Sequence, residues 1–352
     1  MTDVRPAPVR LHFIDAIKAI ASQLIVLHHL AFYGPMSDYA QALCPDLISW
    51  LAQHARIAVQ AFLVMGGFLA AQSLARDGRL TEQPVSHLLW RRYCKLAIPY
   101  FCALLLAIAA AAVARALIDH NATPGVPTFM QVIAHLLLLQ GIFGFDGLSA
   151  GVWYVAIDFQ LYALLLIVLW LARQGLPNMS GAGPVCVIAL ISASLFHFNR
   201  DAGWDNWAIY FFGAYGLGAI TYWGTQRKRV AWWVVAMGAV TIGALLLDYR
   251  SRIQVALLVA TSLGVARHTG LIEAWPKSRL TAWLGQISYA VFLTHFPVCL
   301  VINALFERFA PHAPAVQLAG MLLAWLASMA TGAIFYNAIE RRATAPRNRI
   351  RS

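Results

Sequence analysis

The sequence predicts an all-α polytopic membrane protein of about ten transmembrane helices, with both termini cytoplasmic and a short non-spanning helix near 130–143. Three observations lead there. Of the 352 residues, 60% are apolar and 12% charged, too little polar material to clothe a soluble core of this size. The apolar residues gather into runs of about 20, the length that crosses a hydrocarbon core. Lys and Arg concentrate in alternate connections between those runs, as the positive-inside rule requires.

In order, the long apolar runs lie near 13–33, 57–75, 96–117, 153–172, 206–224, 230–247, 281–303 and 316–338, with shorter ones at 184–198 and 252–266. A further run, 130–143, is too short to span and reads as an interfacial or re-entrant piece. Charge fixes the parity. The connection 76–95 carries Arg76, Arg79, Arg91, Arg92 and Lys95, and that at 227–229 carries Arg227, Lys228 and Arg229; both should be cytoplasmic. An even number of spans must separate them, which excludes 130–143. The resulting topology puts 19 Lys and Arg inside and 6 outside, with Lys18 within the membrane.

This placement explains the net charge of +11 without nucleic acid. Five scattered cysteines, Cys44, Cys94, Cys102, Cys186 and Cys299, give neither a disulfide framework nor a metal spacing. The first apolar run is interrupted by Lys18 and two histidines and lacks a small-residue cleavage site, so it reads as a retained anchor and not a signal peptide. The organisation expected is one membrane domain over 1–352, ending in a short basic cytoplasmic tail at 339–352.

The run 11–33 contains Asp15, Lys18, His28 and His29, and ionisable residues inside a span point to function. Lys18 and His29 lie within about 20° on one helix face and about 16 Å apart along the axis. Ser22 sits near that stripe, Asp15 can pair with Lys18, and His28 points roughly 80° away. By the same topology Asp158 and His295 fall in the outer halves of their helices, level with His29. A His–carboxylate–His set is therefore expected, above an intramembrane Lys. The carboxylate would fix the tautomer of a general base acting on a hydroxyl. The cation below, backed by Arg91, Arg92 and Lys95, suits a phosphorylated substrate arriving from the cytoplasm. The gap between them matches a thin extended arm such as pantetheine. Gln160, Tyr162, Ser288 and Tyr289 are supporting candidates, with ordinary aromatic-belt or core packing as the competing explanation. Gly213, Gly216 and Gly218 read as close-packing positions.

Several stretches resemble the acyltransferase-3 family of bacterial membrane O-acyltransferases. Lys18 and His29 match its basic-residue-x10-His signature, in a Lys form. AFLVMGGFLAA (61–71), WRRYCKLAIPY (90–100), WYVAIDFQLY (153–162) and LGQISYAVFLTHFPV (284–298) resemble further family runs in the same order. The chain departs at Gly66, where the family usually has Ser, at Asp158 and Phe159, which replace a Glu pair, and at Thr294, which replaces a frequent Trp. The resemblance implies transfer of an acyl group, usually acetyl, from cytoplasmic acyl-CoA to a hydroxyl on a glycan, lipid-linked or related envelope acceptor. The setting implied is the bacterial inner membrane, with acyl-CoA as donor substrate and no permanently bound cofactor or metal. His29 would be the catalytic base and Lys18 would help hold the donor. The rival reading is a proton-coupled transporter or flippase for an envelope precursor, using a His/Asp pair. It lacks a visible inverted repeat and paired Gly/Pro-broken helices.

Overall fold

The computed structural model describes residues 10–179, 181–226, 229–230 and 232–344. Arg227, Lys228 and residues 345–352 of the expected basic tail lie outside the described residues. The chain is helical almost throughout. Its helices are α1 (His12–Phe32), α2 (Met36–Ala40), α3 (Pro45–His54), α4 (Val59–Leu74), α5 (Val85–Leu117), α6 (Phe129–Leu136), α7 (Val152–Gly175), α8 (Ala182–Phe196), α9 (Ala208–Gly224), α10 (Trp232–Leu247), α11 (Ser251–Thr269), α12 (Leu271–Ala274), α13 (Arg279–Phe309), α14 (Pro314–Phe335) and α15 (Arg341–Thr344). The described residues also hold a minimal antiparallel pair, Thr225↔Val230 and Gln226↔Arg229.

Among the described residues, seven helical stretches are long and apolar enough to cross a membrane: His12–Phe32, Pro45–Leu74, Val85–Leu117, Val152–Gly175, Ala182–Arg200, Arg279–Phe309 and Pro314–Ala343. Trp232–Leu247 is a shorter apolar helix. This is a multi-pass membrane protein. The remaining two expected runs are also helical, as α9 and α11. Helix α9 is buried along nearly all of its length, so its neighbours rather than lipid satisfy it. The piece expected at 130–143 is helical only over Phe129–Leu136, started by a Thr128/Gln131 capping box at its N-terminus, and the chain turns after Leu137.

Two boundaries differ from expectation. The segment 85–95, expected as part of a loop, is the first third of α5. Hydropathy ends at Arg91, Arg92 and Lys95, but long straight-chain cations are good helix formers, and no Gly or Pro interrupts until Pro99. The last apolar helix likewise continues past α14, through a π turn over Tyr336–Glu340 and into α15, so 339–344 is helix rather than tail.

Small residues set the closest approaches, as is usual between membrane helices. A Cβ on Gly67 would lie 1.8 Å from the Tyr215 carbonyl oxygen, and one on Gly218 1.9 Å from that of Val64, so α4 and α9 touch backbone to backbone. Gly213 and Gly216 meet the side chains of Leu195 and Ile191 instead. Helices α1 and α13 run parallel. Arg10 donates to the Ala282 carbonyl (2.6 Å), a Cβ on Gly285 would meet the Asp15 carbonyl at 2.5 Å, and the Met36 N–H reaches Asn303 (3.2 Å). That register carries His29 to His295.

Candidate active site

The His29 and His295 rings lie parallel, 3° apart in plane, with His29 Nδ1 2.6 Å from His295 Nε2. His295 Nδ1 is 3.0 Å from the Val291 carbonyl, which can only accept. His295 therefore donates from Nδ1, and its Nε2 is the acceptor. His29 must then donate from Nδ1, which leaves its Nε2 as a lone pair. His295 is fully buried, while His29 retains 8% exposure and its Nε2 bonds nothing among the described residues. His28 turns away to the Leu51 carbonyl (3.0 Å) and is held on α3.

Asp158 does not join this pair. It accepts from Arg92 Nη2 at 2.5 Å, and the Arg92 guanidinium also lies over the Tyr162 ring, 5.1 Å from its centroid. The expected His–carboxylate–His set is thus corrected to a His–His pair beside a separate Arg–carboxylate pair. The reason is the inward reach of α5: a permanently charged guanidinium outbids a neutral imidazole for a carboxylate. Asp15 is likewise bonded to Arg10 (2.6 Å) and not to Lys18. Gln160 accepts from the Ala208 N–H (3.2 Å) and so ties α7 to the start of α9. Ser22 donates to Ala19.

Lys18, Arg92, Lys95, Asp158, Ser288 and Tyr289 line one cavity of ≈ 230 Å³. Tyr289 also donates to the Leu96 carbonyl (3.2 Å), tying α13 to α5 one turn before Pro99. Arg91 is exposed and outside this wall. Glu340, from the π turn, lines the chamber together with Lys18 and Lys95, and it was missed in the sequence. A lone acid directly before Arg341 and Arg342 was the available signal. At its other end the chamber closes on Phe62, Tyr154 and Phe292, and the Phe292 ring is 6.2 Å from that of His295.

A second cavity, ≈ 570 Å³, approaches the histidines from the opposite end of α1. Tyr33, Trp153 and Phe296 form its aromatic wall; Tyr33 and Phe296 lie 5.4 and 6.2 Å from the His29 ring. Its rim is pinned by His135, which donates to the Gln131 carbonyl (2.7 Å) and accepts from the Leu148 N–H (3.1 Å). Burial lowers the pKa of His135, which favours the neutral ring this pairing needs.

A family model described as an acyltransferase domain matches residues 11–333, nearly the whole chain. The chain belongs to the acyltransferase-3 family. It is an acyltransferase, and the matched stretch runs from the start of α1 into α14, so the histidine pair, the larger cavity and all of the chamber's lining except Glu340 lie inside it. No curated protein and no solved structure matches the chain. Within this acyltransferase the departure at Gly66 has a local consequence. A Cβ there would meet Tyr215 Cε2 at 3.0 Å and Asp158 Oδ1 at 3.5 Å, so glycine lets Tyr215 close over the Arg92–Asp158 pair.

Proposed function

We propose that this acyltransferase moves an acetyl group from cytoplasmic acetyl-CoA to a hydroxyl of a glycan or lipid-linked envelope acceptor. It would work in the bacterial inner membrane, with ten spans and both termini cytoplasmic. One observation carries the reading. The chain from Val291 through His295 to His29 leaves a single unprotonated imidazole nitrogen between a cationic chamber and an aromatic-walled cavity. The donor's phosphates meet Lys18, Lys95 and Arg92, with Arg91 adding to the field that draws them in. The pantetheine arm passes along α1 and brings the thioester to His29, about 16 Å from Lys18.

His29 Nε2 then takes the acceptor hydroxyl's proton, and the oxygen attacks the thioester carbonyl. The tetrahedral intermediate collapses with cleavage of the C–S bond. The departing thiolate takes the proton back from His29 Nε2, leaving the imidazole neutral, the ester formed and free CoA-SH. His295 is a positioning residue that holds the tautomer and accepts from the imidazolium. Asp158 holds Arg92 and not His29. Purified protein, radiolabelled acetyl-CoA and envelope fractions test this: wild type should label an acceptor, and His29→Ala should not while still inserting and folding. Substantial transfer by His29→Ala overturns the role.

A further inference from the structure

Arg56 stands on the 3-10 turn between α3 and α4. Its guanidinium lies over the ring of Trp153, 5.3 Å from the centroid, and Trp153 is one of the residues that line the ≈ 570 Å³ cavity. It is exposed, and among the described residues it makes no ion pair or side-chain hydrogen bond. Three other arginines near the same end of the helices are committed: Arg115 to the Pro124 and Gly125 carbonyls, Arg250 to Asn199, Leu195 and Asp248, and Arg252 to Tyr210 and Asn199.

A guanidinium stacked on an indole keeps its N–H edge free, and that planar fork fits a carboxylate or phosphate with two parallel hydrogen bonds. We propose that Arg56 binds an anionic group, carboxylate or phosphate, carried by the acceptor next to the hydroxyl that is acylated. This rests on the reading that the Tyr33-side cavity receives the acceptor. The same wall offers Asp146 as an acceptor for further hydroxyls. The acceptor is then an acidic glycan or a phosphorylated carrier, and Arg56 sets which hydroxyl faces His29.

A phospholipid headgroup carries the same chemistry, so the test separates the two sources. Full-length protein in phosphatidylcholine nanodiscs is treated with diethyl pyrocarbonate, and carbethoxylation of His29 is followed by peptide mass spectrometry. The probes are methyl β-glucuronide, methyl glucoside 6-phosphate and neutral methyl glucoside. At least one anionic probe should slow modification about fivefold, the scale of one exposed ion pair, at concentrations where the neutral glycoside has no effect. Arg56→Gln should abolish that protection and Arg56→Lys should keep part of it. Equal protection by the neutral glycoside, protection that survives Arg56→Gln, no protection at all, or a His29 that the reagent never modifies overturns the proposal. Protection supplied by phosphatidylglycerol in the bilayer alone does so too, by assigning Arg56 to lipid. Activity retained by His29→Ala would sink the role of His29 as base while leaving this protection in place, so the two readings fail separately.

Discussion

His29 and His295 share one hydrogen bond of 2.6 Å, and its direction is set on the other side of the His295 ring by the Val291 carbonyl. Only one tautomer of each ring satisfies all three groups. His295→Ala leaves His29 free to rotate and to adopt the wrong tautomer. The expected result is a fall in kcat of about 10²-fold, the scale of a general base held out of position, with the KM for donor nearly unchanged. His295→Gln, whose side-chain carbonyl can accept from Nδ1, should recover part of the rate. An unchanged kcat in His295→Ala would remove the positioning role.

The Arg92–Asp158 pair is enclosed, with side-chain exposures of 22% and 10%. Removing one partner strands the other. Asp158→Ala should destabilise the protein by about 3 kcal/mol, whereas Arg92→Met with Asp158→Leu should recover most of that. Thermal unfolding in detergent separates the two. If the double variant regains stability and still binds the donor weakly, the pair serves the chamber and not the fold alone.

At the α4–α9 contact a methyl group has nowhere to go. Gly67→Ala places its Cβ on the Tyr215 carbonyl and Gly218→Ala on that of Val64. Each should destabilise by about 1–3 kcal/mol. Gly238, inside α10 where an added Cβ meets nothing within 4 Å, is the control and should accept alanine with no fall in Tm.

How much of this could be read from the chain differs element by element. All ten apolar runs became helices because length and hydropathy dominate where a bilayer is the solvent. His29 and His295 were legible because a titratable ring in an apolar helix is conspicuous. Their mutual bond was not. It depends on the parallel register of α1 against α13, and that register is fixed by contacts such as Gly285 on Asp15, which no local pattern announces. Asp158 was assigned the wrong partner for a related reason. The reach of Arg92 depended on α5 starting at Val85, before its apolar run begins. Glu340 was hidden by the basic residues that follow it.

His135 gives the rim of the larger cavity a pH dependence. Its Nε2 must be unprotonated to accept the Leu148 N–H, and burial lowers its pKa from the model-compound 6.5. A buried neutral His binds fewer protons folded than unfolded. Its contribution is therefore complete above pH 6.5 and is lost as pH falls from there through the lowered folded value. Amide exchange over 146–151, corrected for its intrinsic rate, should accelerate on acidification. His135→Leu should exchange fast at every pH and lose the dependence. A wild-type profile flat down to pH 4 contradicts this account.

Lys18 and Glu340 both line the chamber that would take the donor, and their charges make opposite demands on it. A phosphate entering this space gains from the ammonium of Lys18 and is opposed by the carboxylate of Glu340. Lys18→Ala should raise the KM for acetyl-CoA about tenfold, since one charge-assisted contact is worth about 1.5–3 kcal/mol when partly enclosed, with a smaller change in kcat. Lys18→Arg should retain most of the affinity. Glu340→Gln keeps the shape and removes the repulsion, so the donor KM should fall. High salt should narrow the difference between the two variants, because screening weakens both terms. If Glu340→Gln instead raises the donor KM, the carboxylate must be organising the lysines for the donor, and the opposition argued between Lys18 and Glu340 is wrong.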